Sequence, residues 1–428
     1  MAPLSEICVI GGGMSGLATA LAMAKYLSSR DEPVNVTVYE LRDEPTTPGG
    51  AVNLMPNALR NLDKLGVYSH LKQNKCGVEI DRIELFSNYS GPDQLASMDF
   101  VDKDGNPLGS FRGLRVMRSD LMEAMLNAIS ASTYANVTLN ILYGKKLVRI
   151  EEPASNPKEG DKGVKVSFED GTTIEADLVL GCDGIHSKTR MNHVEPERVP
   201  VYTGISTAQG YVDRKAVPSD LHFKGTCLNM SRRGSLLATF YEPTHESIYM
   251  ASVMEAKETL SRDGWKTKGA DQDAVREDIL DRFGDSAFPC VREMISASNS
   301  WFLFPVYKLP PGGKWCTERV MLLGDAAHAM PPQGESIGIA IEDAILFTRT
   351  LAKYRSFPLS KAFKVYKELR RDRIHEQYQE ASRRWETVRD CGYLVNKLKE
   401  AIMPWWIWWS NESRVKTFMS DAESVIIP

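Results

Sequence analysis

Nowhere in the 428 residues do lysine and arginine form a block, and the formal net charge is only -4. A nucleic-acid partner, which needs a basic face to neutralise phosphates, is therefore not expected. Long apolar runs are missing as well, and none approaches the ~20 residues that a bilayer-spanning helix requires. The seven cysteines (Cys8, Cys76, Cys182, Cys227, Cys290, Cys316 and Cys391) show no CxxC spacing. Neither a disulfide framework nor a metal site is expected from them, and scattered thiols suit a reducing compartment. An apolar strand begins by Ile7, which leaves no room ahead of it for a signal peptide. The expectation is a cytoplasmic protein. With 43% hydrophobic residues over this length, the chain can bury two or three cores.

What is present is concentrated in the first forty residues. Ile7 to Ile10 reads as a short buried strand, followed at once by Gly11-Gly12-Gly13-Met14-Ser15-Gly16. A helical pattern (Leu17, Leu21, Ala24) comes next, then an alternating strand (Val34, Val36, Val38) that ends in Tyr39-Glu40. Strand, glycine turn, helix, strand and acid make up a dinucleotide-binding βαβ unit. Gly11 permits the tight turn, Gly13 lets backbone approach a pyrophosphate, and Gly16 lets helix and strand pack closely. The helix N-terminus offers free N–H groups to the phosphates. Glu40 stands where a carboxylate accepts hydrogen bonds from a ribose diol.

Two more strand-ends carry related features. Asp177 to Leu180 runs into Gly181-Cys182-Asp183-Gly184, and Val320 to Leu323 runs into Gly324-Asp325. A proline-rich turn, Met330 to Ser336, then precedes a helix from Ile337 to Leu351. Around Arg118 the sequence opens a helix for which Ser119 or Asp120 is a natural N-cap. The spacing alone would make Arg118 a surface ion-pair residue. Residues 164–175 read as a β-hairpin, and the polar insert 153–163 as exposed. Short β-like segments dominate 199–304.

In order and spacing, these three strand-ends resemble the fingerprints of the single-component (class A) FAD-dependent monooxygenases, the p-hydroxybenzoate hydroxylase-like family. The likeness is greatest to fungal natural-product tailoring enzymes and salicylate hydroxylase-like enzymes, and it spans roughly residues 5–350. It implies an α/β fold: a Rossmann-like FAD-binding domain with an inserted β-rich substrate domain and C-terminal helices. Residues 1–75, 106–198 and 305–355 would form the FAD domain. Residues 76–105 and 199–304 would form the substrate domain, and 356–428 a helical region. For the cofactor, the resemblance implies Glu40 at the adenosine ribose and Ala51 on the flavin or ribityl side. It places Arg118 at the FAD phosphates or ribityl, which displaces the ion-pair reading, and Asp325 at the ribityl hydroxyls. Asp183 and Gly184 would touch both FAD and NADPH, while Gly334 and Gly338 would lie in the turn and helix start beside the isoalloxazine. His328 would be structural. Arg190 would meet NADPH phosphates or be an ordinary surface arginine.

The implied reaction is NADPH- or NADH-dependent insertion of one oxygen atom from O2 into a small apolar or aromatic substrate through a flavin C4a-hydroperoxide. A role in secondary metabolism goes with it. The alternative is an FAD-dependent oxidase or dehydrogenase that needs no NADPH. Two residues depart from the family pattern. Gln209 stands where relatives usually carry a substrate-facing arginine, which favours epoxidation or attack on a neutral ring over phenolate hydroxylation. Glu335 brings a carboxylate into the flavin turn, where it would oppose an anionic reduced flavin unless it is protonated or turned outward. Gln209 and Tyr241 are the candidate catalytic side chains, although for Tyr241 a core position on a strand is the favoured reading and a hydrogen bond to a substrate oxygen the lesser one. The expected state is a monomer or homodimer. Trp405, Trp406, Trp408 and Trp409 are expected to pack against the protein, with peripheral membrane contact as the lesser alternative.

Overall fold

The computed structural model describes residues 4–29, 32–47, 49–91, 93–153, 163–259, 262–332 and 334–428. Most of the polar insert at 153–163 lies outside these residues. Five parallel strands form the nucleotide sheet, in the order Val320–Leu322, Leu178–Gly181, Glu6–Ile10, Val34–Tyr39 and Val137–Leu142. The inner strands are apolar runs because a parallel sheet is covered on both faces. Helix Met14–Leu27 is buried along nearly its whole length. Its alanines let the long helix Ser336–Lys353 pack closely against it. The expected hairpin is found as Val164–Phe168 with Thr173–Ala176, in a three-stranded antiparallel sheet completed by Leu147–Glu151. It joins the same core, where the Tyr39 and Phe168 rings stack with centroids 4.8 Å apart.

A seven-stranded sheet forms the second layer. Its order is Trp301–Lys308, Val201–Asp213, Ser247–Glu255, Gly234–Phe240, Thr226–Ser231, Arg82–Ser87 and Gln94–Asp99. Two of the domain edges drawn from sequence shift as a result. Strand Trp301–Lys308 carries this sheet past residue 304, because it pairs with Val201–Asp213 out to Lys308. Val78–Ile80, inside the expected first substrate segment of 76–105, pairs instead with Gly113–Met117. Together with Ala51–Leu54 these strands make a small three-stranded antiparallel sheet. The helix after it begins at Arg118 itself, with Met117 as an extended N-cap and no side-chain cap, so neither Ser119 nor Asp120 starts it.

The C-terminal region is helical: Leu359–Thr387, Tyr393–Trp409 and Asn411–Phe418. The last residues return to the nucleotide layer. Arg60 donates to the carbonyls of Phe418 and Ser420, Lys64 pairs with Asp421, and Lys25 pairs with Glu423.

Candidate active site

The glycine turn does what the residue spacing requires. Gly11 has φ +105°, and a Cβ there would fall 2.6 Å from the Cys182 carbonyl oxygen. A Cβ at Gly16 would fall 1.8 Å from the Gly11 oxygen, so the helix can approach only without a side chain. Gly13 has nothing within 4 Å of such a position, which leaves its backbone open to a ligand. Helix Met14–Leu27 has no side-chain cap and no acid in its first turn, so its N–H groups face that opening unsatisfied. The Glu40 side chain is buried beside it. Its Oε2 accepts the Gly12 N–H at 2.7 Å and its Oε1 accepts the Arg42 N–H at 3.0 Å. A carboxylate offers about four lone-pair sites, so two remain for a diol.

The third strand-end is held from behind. Asp343 Oδ2 accepts the Gly324 N–H at 3.0 Å and contacts His328 Nε2 at 2.7 Å. Its Oδ1 accepts Arg370 Nε at 2.6 Å, and Arg370 also donates to Glu342 at 2.8 Å and to the Ile339 carbonyl at 2.9 Å. Arg373 and Asn57 complete the shell of Glu342. Burial alone would raise the Asp343 carboxyl, but His328 and Arg370 beside it hold it well below the usual carboxylate range. With the turn fixed, Asp325 projects into solvent-accessible space. Arg118 is close enough to interact with it: burial lowers the Arg118 guanidinium, and the charge of Asp325 opposes that shift. His328 is thus tied into the structure, as the resemblance implied.

The small sheet brings the second half of the site together. Ala51 pairs with Met117, and Arg118 N–H donates to the Gly50 carbonyl at 3.3 Å. Gly50 N–H donates to Gln209 Oε1 at 3.0 Å, so the side-chain oxygen of Gln209 anchors a backbone turn. A Cβ at Gly50 would fall 2.2 Å from Tyr249 Cε2 and 2.8 Å from the Tyr211 hydroxyl. Tyr241 joins edge-on, its ring centroid 5.8 Å from that of Tyr211. Arg115 faces Asn53 across the same small sheet and interacts with Tyr249. It is buried, its Nε has no partner, and burial pushes its guanidinium down to about 10. Tyr211, Tyr249, Arg115, Asp343 and Arg370 were not identified from sequence. A buried-strand arginine was the one visible signal among them.

Other expected residues take different places. Asp183 is occupied within its own turn, accepting from Ser187 Oγ at 2.5 Å and from Thr189 N–H at 3.0 Å. Gly184, half-buried at φ +74° with open space beside its Cα, is the part of that motif with room for a ligand. Arg190 is neither a phosphate ligand nor a surface residue. Its side chain is fully buried and donates to the carbonyls of Ile185, Arg198 and Ala326. Gly338 faces the helix Pro56–Lys64, where a Cβ would stand 3.1 Å from Ala58 Cβ, so it serves helix packing. Gly334 has φ +82° and lies exposed in the turn before it. Glu335 is partly buried at that helix start, without a capping bond. Burial pushes its carboxyl up to about 7; Arg384 opposes this and Glu380 adds to it. Among the described residues, no cluster of His, Cys, Asp and Glu could hold a metal.

Three strand-ends, an open helix N-terminus, the buried Glu40 carboxylate and the charges of Arg118 and Asp325 near each other suit FAD. The chain belongs to the family described as "FAD binding domain", whose profile matches residues 5–381, and is a class A FAD-dependent monooxygenase. It is 27% identical over 375 residues to a 6-hydroxynicotinate 3-monooxygenase of Bordetella bronchiseptica, covering 86% of this chain and 88% of the relative. It is 25% identical to the 6-methylsalicylate 1-monooxygenase of Aspergillus terreus, covering 80% and 74%. A solved Klebsiella pneumoniae protein complexed with FAD and uric acid shares the fold, with TM-score 0.76, 22% identity and coverage of 99% and 98%. A salicylate hydroxylase substrate complex has TM-score 0.73, 22% identity and coverage of 100% and 99%.

Proposed function

We propose that the enzyme uses NAD(P)H and O2 to insert one oxygen atom into a small, largely apolar aromatic substrate, by hydroxylation or epoxidation, in secondary metabolism. It would work in the cytoplasm as a monomer or homodimer. The observation that carries this reading is the cluster of Tyr211, Tyr241 and Tyr249 against Gly50, one residue from Ala51 and in contact with Arg118. Bound FAD supplies the electron-transfer and oxygen-activation chemistry. The protein's residues bind and orient. Glu40 and Asp325 accept cofactor hydroxyls, Arg118 meets the phosphates or ribityl, and the open N-terminus of helix Ser336–Lys353 favours negative charge near the flavin turn. The tyrosine rings wall an apolar space and exclude water. Gln209 is a positioning residue that fixes Gly50. Arg115, a buried cation beside Tyr249, pairs with an oxygen substituent on the substrate ring.

Anaerobic mixing of the flavin-loaded protein with NADPH tests this, read as loss of flavin absorbance with and without a panel of aromatic and terpenoid compounds. A compound that accelerates bleaching identifies the substrate class, and Arg115→Met should then raise its KM while the bleaching without it stays unchanged. Bleaching by a compound alone, with none by NADPH, would identify an oxidase or dehydrogenase instead.

A further inference from the structure

Helix Tyr393–Trp409 is amphipathic in the wrong sense for a protein surface. Its buried positions are polar: Asn396 is 4% exposed and Glu400 is 7% exposed. Glu400 accepts from Ser87 Oγ at 2.6 Å, Asn396 Nδ2 at 2.8 Å and Lys397 Nζ at 2.9 Å. Met403 and Ile407 pack inward with Met55 and Met98. The outward stripe is Leu394, Leu398, Ile402, Trp405 and Trp409, spaced four, four, three and four residues apart, the α-helical repeat. These five are exposed by 46–80%, and Tyr393, Val395, Trp406 and Trp408 widen the patch. The expectation that the four tryptophans pack against the protein is therefore overturned. The inner face is already committed to Ser87 and the edge strand Gln94–Asp99, so the rings have nothing to cover.

The patch is presented rigidly. Beyond it, Arg349 donates to the carbonyls of Ala422 and Val425, and Lys353 donates to that of Ile427. The chain is thus stapled down on the far side of the helix.

We propose that this helix lies in the surface of a lipid bilayer, with its apolar stripe among the acyl-chain ends. Two observations favour lipid over a protein partner. Residues 401–411 carry no charge at all, and no acidic residue lies on the outward face from Tyr393 to Asn411. Four tryptophans in five positions match the residue type that gathers at the membrane–water boundary. The helix has 17 residues, and no helix among the described residues is long and apolar enough to cross a membrane. It therefore lies on the bilayer rather than spanning it. Met55, on the inner side of this assembly, stands 4.0 Å from where a Cβ at Gly334 would be, so the docking face adjoins the flavin turn. An apolar substrate dissolved in the bilayer would have a short route in.

The test is flotation of the flavin-loaded full-length enzyme with vesicles of phosphatidylcholine, or of phosphatidylcholine with a minority of phosphatidylserine. The expected result is recovery with vesicles of either composition, with tryptophan emission quenched by lipids brominated on the acyl chain. The W405S/W409S variant removes roughly 200 Å² of inserted ring surface, which lowers partitioning by about 1,000-fold or more. Its FAD content and melting temperature should be unchanged, because the rings pack on little besides each other. L398S/I402S should act in the same direction. Deleting 404–428 would not serve, since it also removes the C-terminal staples. Failure to float with either vesicle, or flotation of W405S/W409S equal to the wild type, overturns the proposal. So does a dimer in sedimentation equilibrium that W405S/W409S dissociates while vesicles capture nothing.

Discussion

Replacing Arg370 by methionine should destabilise the protein by about 3 kcal/mol at pH 7.5. The guanidinium is buried and makes three bonds, to Asp343, Glu342 and the Ile339 carbonyl. Breaking a buried pair costs roughly 3–5 kcal/mol because the remaining charge is stranded. The lower end applies because Glu342 keeps Arg373 at 3.1 Å, and Asp343 keeps the Gly324 N–H and His328. If roughly 200 residues unfold together, the melting temperature should fall by about 6–9 °C, measured calorimetrically on the flavin-free protein. The pH dependence separates charge from packing. In the wild type the Asp343 carboxyl is held well below its ordinary value, so its stabilising contribution is present above the unfolded carboxylate range. That contribution is lost only as pH falls through the depressed folded value. Without Arg370 the carboxyl rises, the variant takes up a proton sooner, and its deficit should shrink between pH 7.5 and pH 5. A deficit below about 1 kcal/mol, or one that stays constant over that range, would refute the reasoning.

Three further perturbations address the cofactor and substrate sides. Glu40→Ala removes the acceptor of the Gly12 and Arg42 N–H groups and, on the proposed function, that of a ribose diol. FAD affinity, titrated by flavin fluorescence, should fall about 10- to 100-fold for the ~1.5–3 kcal/mol of hydrogen bonds to a charged group. Less than a threefold change would exclude Glu40 from the ribose site. Gln209→Leu strands the Gly50 N–H, and kcat with an accepted substrate should fall at least fivefold, for about 1 kcal/mol or more, while FAD affinity holds. Loss of FAD with unchanged kcat in the remaining holoenzyme would contradict a positioning role. Glu335, with its carboxyl pushed up to about 7, turns anionic as pH rises through neutrality. Glu335→Gln should therefore make the flavin midpoint potential more positive above pH 7 and leave it unchanged at pH 5.5, read by spectroelectrochemistry. Parallel curves across that range would place Glu335 outside the field of the flavin.

The geometry of the glycine turn was legible because its determinants are local. Gly11, Gly13, Gly16 and Glu40 lie within one βαβ unit, and each is constrained by backbone geometry that a sequence displays directly. Arg118 became interpretable through its motif, and the register of Ala51 with Met117 accounts for its position. Residues that act through distant partners were not legible. Asp343 and Arg370 read as ordinary helix charges until Gly324 and His328 are placed beside them. Arg190 was misjudged for the same reason: its three carbonyl partners are at Ile185, Arg198 and Ala326, two of them beyond its own turn. Gln209 was noticed only as a missing arginine, since its partner Gly50 is 159 residues away.

The tryptophan helix marks a different boundary, between periodicity and its sign. A repeat of 3.6 residues identifies two faces but not which of them meets the protein. The usual assignment puts the apolar face inward, because water is the default surroundings. Here Ser87, at the end of an edge-ward strand of the large sheet, offers a buried hydroxyl that Glu400 accepts from. That bond, with Asn396 and Lys397 around it, fixes the rotation of the helix. Once the polar side is inward, the outward position of Leu398, Ile402, Trp405 and Trp409 follows from helical geometry. The test of that causal order is Glu400→Leu. It should weaken attachment of the helix to the sheet, seen as faster amide exchange across 393–409, while exchange in the strand Glu6–Ile10 is unchanged. If exchange across the helix stays as slow as in the wild type, Met403 and Ile407 hold it in place and the polar contacts do not set its orientation.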